Sequence, residues 1–254
     1  MLLLIDSGNT RIKWAVVDPQ QSAQIDAAGW LASGVVSSTE LAEAAPAWRG
    51  LGIDGALISH VAGTERRHQL AQILSTQCGL ASAQIDWFAS TAMAGGVRNG
   101  YRQASQLGCD RFASLIGARA LFPAQRLIVA TCGTATTIDA LDADGFFLGG
   151  MILPGLGLMA TSLAQQTAQL PQISDAFAAP PVFADQSDAA IRSGCLTAQA
   201  GAIALALNAH QGARCILSGG AARFVTTVLA PPHHLIDNLV LLGLQAASKS
   251  PPPC

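Results

Sequence analysis

The sequence contains little charge of either sign. Only 12% of its 254 residues are charged, and lysine occurs just twice, as Lys13 and Lys249. The net charge of −2, without any basic run, excludes a protein that binds nucleic acid through a positively charged surface. Half of the residues are apolar, which excludes a disordered chain. An anionic ligand must therefore be held by a few well-placed groups rather than by a general positive field.

Long apolar runs and export signals are also lacking. No uninterrupted apolar stretch approaches the ~18 residues that a membrane-spanning helix needs, so we expect no membrane association. The first acidic residue is Asp6, and no basic leader precedes it, so we expect no signal peptide. These two observations predict a cytoplasmic protein.

Cysteine and histidine are sparse and scattered. The six cysteines form no Cys-x-x-Cys pair, and reduced thiols are the expected state in a chain without an export signal. The five histidines have no zinc-binding spacing, so we expect no histidine-bound metal. The length suits one large domain or two domains of about 120 residues.

One local pattern occurs twice. Residues 2–17 read LLLIDSGNTRIKWAVV and residues 127–141 read LIVATCGTATTIDAL, so that Gly8 aligns with Gly133 and Asp6 with Thr131. Each copy is an apolar β-rich run, a tight turn of glycine with hydroxyl or amide residues, and a second β-rich run. Such a hairpin can direct backbone N–H groups and hydroxyls at an anion. Two copies predict a duplicated fold that holds a nucleoside triphosphate between its halves.

The first turn allows two interpretations. Asp6 at the end of an apolar strand could hold Mg²⁺ through water while the N–H groups of the turn meet phosphate oxygens. The same residues are also common in ordinary hairpin turns. The second copy favours the phosphate-binding interpretation. Lys13, three residues beyond the turn, could neutralise phosphate charge or could simply be a solvated strand residue.

A second group of candidates surrounds the predicted start of a helix near Gly108. Asp110 could orient a hydroxyl and take its proton, or could be only a favourable charge at a helix N-terminus. Arg111 could bind a carboxylate or phosphate through its planar fork, or pair with a surface acid. Tyr101, the single tyrosine, could hydrogen-bond a polar substrate or merely pack. Farther on, the Gly219-Gly220 pair permits close backbone approach to a flat ligand such as adenine.

Strands come first and then alternate with helices, which predicts an α/β protein with layered halves. We place the halves at 1–118 and 119–254. We expect a helix over 39–45 with Thr39 as its N-cap, ended by Pro46, and a final helix over 235–247. An irregular connector is expected over 171–186, and a frayed tail over 251–254.

In combination, these residues resemble type III pantothenate kinase over nearly the whole chain, including its proteobacterial branch with the Bvg accessory factor proteins. Five elements in order make the resemblance specific, although each alone would be weak. The five elements are Asp6-Ser7-Gly8-Asn9-Thr10, Tyr101, Leu107-Gly108-Cys109-Asp110-Arg111, Gly133-Thr134-Ala135-Thr136-Thr137, and Gly149-Gly150 with Pro154-Gly155. Ser193-Gly194 after Ser187, and Gly219-Gly220, follow later in the chain.

The resemblance implies the duplicated, ribonuclease H-like fold of actin, acetate kinase and the sugar kinases, with a nucleotide cleft between two similar halves. It implies transfer of the ATP γ-phosphoryl group to pantothenate, giving 4′-phosphopantothenate, the first step toward coenzyme A. It also implies a homodimer whose interface helps to build the pantothenate pocket. By position, Asp110 becomes the proton acceptor and Mg²⁺ lies near Asp6. The implied pantothenate-binding residues are Tyr101, Gly108, Cys109, Asp110, Arg111 and Ser187, and the implied ATP-binding residues are Asp6, Ser7, Gly8, Asn9, Thr10, Arg11, Ile12, Lys13 and Thr134.

Three departures from the family pattern bear on these expectations. Thr131 stands where many members have an aspartate that binds K⁺ or NH₄⁺, and a hydroxyl is a poorer ligand for such an ion, which argues against activation by a monovalent cation. Ser187 replaces a threonine and keeps the hydroxyl. Ala104 replaces a proline, which leaves the loop carrying Tyr101 less constrained.

Two other functions remain open from the sequence. One is a kinase of the same fold that acts on another small hydroxyl compound. The other is a nucleotide-binding transcriptional accessory protein without turnover. The presence of both Asp6 and Asp110 favours an enzyme, because a regulator has no need of a base.

Overall fold

The protein is described by a computed structural model over residues 1–20, 25–167, 170–171 and 180–249. The chain folds into two compact units. Unit 1 comprises Met1–Ala124, Gly145–Phe147 and Asn238–Cys254, and unit 2 comprises Gln125–Asp144 and Leu148–Asp237.

Unit 1 is built on a five-stranded sheet. Its strands are β1 (Leu2–Ser7), β2 (Arg11–Val17), β3 (Ala32–Ser37), β4 (Gly55–His60) and β5 (Ile85–Trp87). They lie in the order β3-β2-β1-β4-β5. β1 is antiparallel to β2 and parallel to β4, as the alternation of the apolar β-rich runs and the predicted hairpin require.

Helices cover both faces of this sheet. Helices α1 (Leu41–Trp48) and α2 (Gly63–Cys78) bury Trp48, Leu70 and Leu74 against Leu3 and Ile5 of β1. Residues of β1 alternate between the faces, so Leu4 points to the other side. There it packs in one cluster with residues of α3 (Cys109–Leu121) and of the last helix of the chain.

A short hairpin completes unit 1. Strands β6 (Met93–Ala94) and β7 (Val97–Asn99) pair in antiparallel fashion. β7 also pairs in parallel with Phe146 and Phe147, the first residues of β10 (Phe146–Pro154). The polar residues Arg98 and Asn99 do not predict a strand, and β7 forms through these pairings.

Unit 2 repeats the strand order of unit 1. Its other strands are β8 (Leu127–Cys132), β9 (Ala135–Leu141), β11 (Arg214–Ser218) and β12 (His234–Leu235), in the order β10-β9-β8-β11-β12. β8 is antiparallel to β9 and parallel to β11, as β1 is to β2 and β4. The duplication inferred from the repeated motif is thus present as a repeated sheet topology.

The core of unit 2 lies between this sheet and three helices, α4 (Leu156–Gln166), α5 (Ser187–Ala209) and α6 (Ala222–Val225). Ile191, Leu196 and Ile203 of α5 are buried with Ile128 of β8. Among the described residues, α5 alone is long and apolar enough to cross a membrane, and 44% of its 18-residue apolar window is buried. Its packing against β8 identifies it as a core helix of unit 2.

The final helix α7 (Leu239–Ser248) belongs to unit 1 although it follows unit 2 in the chain. Gly117 of α3 and Gly243 of α7 allow the two helices to approach closely, because a Cβ on Gly243 would overlap the carbonyl oxygen of Ala113. Gln245 of α7 also accepts a hydrogen bond from the Trp30 indole at 3.0 Å. The compact units consequently differ from the halves expected at 1–118 and 119–254, since α7 and Gly145–Phe147 pack with unit 1.

Three expectations about helix ends were wrong. Pro46 does not end α1, which continues to Trp48. The proline removes one backbone N–H donor from the last turn, and the buried indole of Trp48 packs in the core and keeps that turn in place. Thr39 is not the N-cap, which is Glu40, and the Thr39 hydroxyl is instead 2.8 Å from that of Ser37. The final helix starts at Leu239 rather than 235, because His234 and Leu235 extend the sheet as β12. The tail 251–254 and residues 172–179 of the expected connector lie outside the described residues.

Candidate functional site

The turn between β1 and β2 is held from two sides. The Gly8 N–H donates to the Arg11 carbonyl at 3.2 Å and closes the turn. Ser38, just beyond β3, donates through its hydroxyl to the Asn9 carbonyl at 2.7 Å and through its N–H to the Thr10 carbonyl at 3.0 Å. Asn9 and Thr10 themselves are exposed. The turn is therefore ordered and accessible, and the carbonyls of Asn9 and Thr10 are bound by Ser38.

Asp6 and Lys13 lie directly opposite each other across the β1–β2 pair. Their side chains point to the face of the sheet that carries α3, because Leu4 of the same strand packs there. Both side chains are half-buried. The first turn thus places one carboxylate and one ammonium group at the end of β1, beside the start of α3.

Asp110, in the first turn of α3, approaches Asp6 closely enough to disfavour its ionisation. Burial and then the charge of Asp110 raise the pKa of Asp6 from 3.8 to about 7, while Lys13 opposes the increase. The Arg111 N–H donates to Asp110 Oδ1 at 2.8 Å and orients that carboxylate at the helix N-terminus. Two of the predicted site residues, far apart in sequence, therefore form a carboxylate pair.

Gly108 and Cys109 shape the surroundings of this pair. A Cβ on Gly108 would lie 2.7 Å from Asp110 Oδ1, so a larger residue would displace the carboxylate. The Cys109 thiol donates to the His60 carbonyl and lies near the Ser59 hydroxyl, each at 3.5 Å. Burial raises the pKa of Cys109, so the group is a thiol that anchors α3 to the end of β4 and not a nucleophile.

Arg111 and Tyr101 are also brought together. Arg111 is only 6% exposed, and its Nη1 donates to the Tyr101 hydroxyl at 3.0 Å. The ring centroids of Tyr101 and Phe147 are 5.3 Å apart, and the guanidinium lies 5.6 Å from the Tyr101 centroid. Asn99 fixes the loop by accepting the Tyr101 N–H at 3.0 Å. A buried, fixed guanidinium beside a phenol suits a ligand that carries a carboxylate and hydroxyls.

Sequence reasoning missed three residues of this region. Phe147 packs on Tyr101, Asn99 holds the loop, and His60 contacts the base of the first turn. Asn99 stands two residues before Tyr101 in a polar segment, and its capacity to form an Asx turn was an available signal. Phe147 and His60 gave none, because only the folded sheet brings them close.

In unit 2 the second turn is packed tightly by glycine backbone. The Gly133 N–H donates to the Ala135 carbonyl at 3.0 Å, and the Gly155 N–H donates to the Thr134 carbonyl at 2.9 Å. A Cβ on Gly155 would lie 2.5 Å from the Thr134 carbonyl oxygen. Gly219 has a φ of +93° and sits against the Cys132 backbone, where only glycine fits. Thr131 lies between Thr137 and Ser218 in the sheet.

Ser187 is the exposed first residue of α5. It lines a largely apolar cavity of about 750 Å³ between α4 and α5, together with Leu158, Leu163 and Ile191. Leu158 is 51% exposed and Leu163 is 37% exposed. The predicted site hydroxyl of unit 2 therefore borders an apolar surface.

Comparison with known proteins decides the family. The sequence profile described as type III pantothenate kinase matches residues 2–209. This chain belongs to the type III pantothenate kinase family. The type III pantothenate kinase of Herminiimonas arsenicoxydans is 51% identical over 254 residues, covering 98% of this chain and 97% of the relative. That of Janthinobacterium sp. (strain Marseille) is 51% identical over the full length of both chains, and that of Burkholderia vietnamiensis is 43% identical over 95% of this chain and 94% of the relative.

Solved structures confirm the fold of this family member. A Campylobacter jejuni structure named for the Baf family of transcriptional activators has a TM-score of 0.61 at 17% identity and covers 97% of both chains. A Sinorhizobium meliloti structure named for 2-dehydro-3-deoxygalactonokinase has a TM-score of 0.58 at 14% identity and covers 98% of both. The predicted duplicated actin-like, sugar-kinase fold is thereby confirmed, in agreement with the repeated sheet order.

Proposed function

We propose that this protein is a pantothenate kinase that transfers the γ-phosphoryl group of ATP to the primary hydroxyl of pantothenate and makes 4′-phosphopantothenate for coenzyme A synthesis. Membership of the family supports this function. The structural observation that carries it is the pair formed by Asp6 at the end of the glycine turn and Asp110 at the start of α3. One carboxylate lies beside the phosphate-binding turn, and the other is available to a hydroxyl acceptor.

Asp110 is the proton acceptor in this proposal. Its backbone contact with Arg111 fixes one oxygen and leaves the other to accept a hydrogen bond from the acceptor hydroxyl. Phosphoryl transfer needs positioning and charge stabilisation more than covalent chemistry, so the group passes directly from ATP to the hydroxyl without a phosphoenzyme. As the hydroxyl oxygen bonds to the γ-phosphorus, the bond from that phosphorus to the bridging oxygen breaks, ADP leaves, and the hydroxyl proton moves to Asp110.

Arg111 and Tyr101 bind pantothenate. The buried guanidinium pairs with the substrate carboxylate through its fork, and the Tyr101 hydroxyl, which receives an Arg111 hydrogen bond, accepts or donates to a polar group of the substrate. Gly108 and Cys109 contribute backbone at the start of α3. Ser187 contributes a hydroxyl from the apolar surface of unit 2.

The ATP phosphates lie at the β1–β2 turn. Its N–H groups, the Asn9 amide and the Thr10 hydroxyl meet phosphate oxygens, while Lys13 supplies positive charge from the adjoining strand. Ser7, whose buried hydroxyl is bound by His60, takes part in this site through its backbone. In the same proposal Gly8, Arg11 and Ile12 shape this end of the hairpin, and Thr134 belongs to the ATP site from the second turn.

The carboxylate donors fit a magnesium ion. Asp6 is half-buried and repelled by Asp110, so a nearby cation would relieve the energetic cost of its charge. Mg²⁺ at phosphoryl-transfer sites is commonly held by one or two carboxylates together with substrate phosphates. Asp6, through water, would hold the ion, which when bound would spread the charge of the phosphates. Thr131 offers no carboxylate for a monovalent ion, so we propose a weak K⁺ requirement.

The protein acts in the cytoplasm as a homodimer. The exposed apolar surface around Leu158 and Leu163 adjoins Ser187, and a second copy of the chain would cover it and complete the pantothenate pocket. The low charge of the chain argues against binding to nucleic acid.

A coupled ADP assay tests the proposal. We expect ADP release that depends on pantothenate and Mg²⁺ and changes little when K⁺ or NH₄⁺ is omitted. A panel of sugars, acetate and other small alcohols should be poor acceptors. Preference for one of those acceptors would identify a different kinase, and nucleotide binding without pantothenate-dependent ADP release would identify a regulator.

A further inference from the structure

His60 occupies the point where β4 ends beside the phosphate-binding turn. In the parallel pairing of β1 and β4 it lies next to Ser7, and Ser59 lies next to Asp6. Its ring is half-buried and packs edge-to-face on Trp87, with ring centroids 5.6 Å apart and planes at 77°. Arg67 of α2 covers the Trp87 ring at 4.3 Å. The imidazole therefore sits in a fixed position.

Both nitrogens of His60 have partners. Nε2 is 2.8 Å from the carbonyl oxygen of Gly63, and Nδ1 is 3.0 Å from the Ser7 hydroxyl. A carbonyl only accepts, so Nε2 carries the hydrogen, and Nδ1 of the neutral ring accepts from the Ser7 hydroxyl. The tautomer follows from these contacts.

Ser7 is completely buried and is held at two atoms by the end of β4. Its hydroxyl is bound by His60, and its carbonyl accepts the Val61 N–H at 3.1 Å. The next residue, Gly8, begins the turn that faces the phosphates in the proposed function. The orientation of Ser7 therefore sets the direction of the following N–H groups.

We propose that His60 is a positioning residue, which holds Ser7 so that the β1–β2 turn is preorganised for the ATP phosphates. This inference rests on the proposed function. His60 touches no substrate, and it acts by keeping the donors of the turn aligned before ATP arrives. The His60 carbonyl also accepts from the Cys109 thiol next to Asp110, so the same strand end supports both sides of the reaction.

The test compares two amide substitutions that separate the two contacts of the ring. In His60→Asn the amide oxygen can take the place of Nδ1 and keep the bond to Ser7. In His60→Gln the amide nitrogen can take the place of Nε2 and keep only the bond to Gly63. A third variant, Ser7→Ala, removes the hydroxyl, and His60→Gln/Ser7→Ala closes a double-mutant cycle. His68→Asn, on the exposed side of α2, is the matched control.

We expect His60→Gln and Ser7→Ala each to raise KM for ATP about five- to tenfold, the loss typical of one hydrogen bond. KM for pantothenate should not change. The double variant should be no worse than either single variant, and His60→Asn and the control should stay near wild type. Independent, multiplying effects, or a His60→Asn variant as impaired as His60→Gln, would overturn the inference.

Calorimetric titration of an ATP analogue keeps this inference separate from the proposed function. If the wild-type protein binds the analogue but does not phosphorylate pantothenate, the proposed function fails while the same binding cycle still tests His60. Thermal unfolding of each variant identifies any that does not fold. If His60→Gln is one of them, His60→Phe, which lacks the bond to Ser7 but keeps a ring against Trp87, replaces it. Unchanged analogue affinity in the folded variants would rule out the positioning role.

Discussion

In the proposed mechanism Asp110 has a role that its neighbours cannot replace. Cys109 is a buried thiol of raised pKa, and Arg111 is a cation, so neither can accept the proton of an alcohol. A second carboxyl group, that of Asp6 at the end of β1, lies near Asp110, whose charge raises the pKa of Asp6. These two acids allow the site to be examined one residue at a time.

Replacing Asp110 with asparagine should abolish proton transfer while preserving shape. We expect kcat to fall ~10²–10⁴-fold, as is typical of the loss of a positioned base, with ATP binding retained. Steady-state kinetics together with calorimetric titration of nucleotide would measure both. Asp86→Asn, an exposed aspartate on β5, serves as the control and should behave as wild type. Near-normal turnover of Asp110→Asn would remove this residue from the role of base.

The raised pKa of Asp6 predicts how stability depends on pH. The carboxyl titrates near 4 when unfolded and at about 7 when folded, so the folded state binds more protons between these values. The free energy of unfolding of the ligand-free protein should accordingly fall as pH rises from 4 to 7. One pKa unit corresponds to about 1.4 kcal/mol, and because Asp6 keeps some contact with water we expect a loss on the order of 1–3 kcal/mol.

Asp6→Asn tests that dependence. The amide cannot ionise, so this variant should lack the loss of stability that ionisation of Asp6 causes. It should be more stable than wild type at pH 8 in the absence of Mg²⁺ and nucleotide. Denaturant unfolding at pH 5 and pH 8 would show it. If the free energy of unfolding depends on pH equally in wild type and variant, ionisation of Asp6 does not destabilise the folded protein.

At the scale of elements, the packing of α3 against α7 depends on two glycines. A methyl group on Gly243 would overlap the backbone of Ala113, and one on Gly117 would lie 2.6 Å from the Leu239 carbonyl oxygen. This crossing holds α3, and with it Asp110, against the sheet of unit 1.

Gly243→Ala should therefore destabilise the protein. The extra methyl must push the helices apart, which typically costs about 1–3 kcal/mol and outweighs the gain in helix propensity. Gly201→Ala in α5, where a Cβ meets no atom within 4 Å, should be neutral or slightly stabilising. Thermal unfolding compares the two. A Gly243→Ala variant as stable as Gly201→Ala would show that the helices have room to adjust.

The sequence was most informative where structure is local. The hairpins at β1–β2 and β8–β9 were predicted correctly because each consists of two adjacent β-rich runs around a glycine turn. Strand β12 was missed because two residues carry no periodicity, and they form a strand only by pairing with β11. The neighbours of the site, such as Phe147 and His60, depend on contacts between distant segments, which a single sequence does not reveal.

At the scale of the whole molecule, the exposed apolar surface of α4 and α5 bears on assembly. A solvent-exposed groove lined by Leu158, Leu163 and Ile191 is costly in a monomer and favourable when covered by a second copy. The proposed homodimer would cover it and would bring Ser187 into a pocket.

We expect light scattering at micromolar concentration to report about 52 kDa, twice the 26.0 kDa of one chain. Leu158→Glu should shift the protein toward monomer and raise KM for pantothenate, because it places a charge on the covered surface. Leu31→Glu, at an equally exposed leucine of unit 1, is the control and should leave the dimer intact. A wild-type protein that elutes only at the monomer mass would contradict the homodimer.

The position of α7 has a consequence for synthesis. During translation the strands and first helices of unit 1 leave the ribosome early, but α7, which covers Leu4, Ala15 and Val17, is made only after all of unit 2. Until then only α3 covers this apolar sheet face, so we expect unit 1 to finish folding only after the stretch beyond residue 238 has emerged. A chain truncated before α7 should expose this face of unit 1, so we expect the folding of unit 1 to be completed after the synthesis of unit 2.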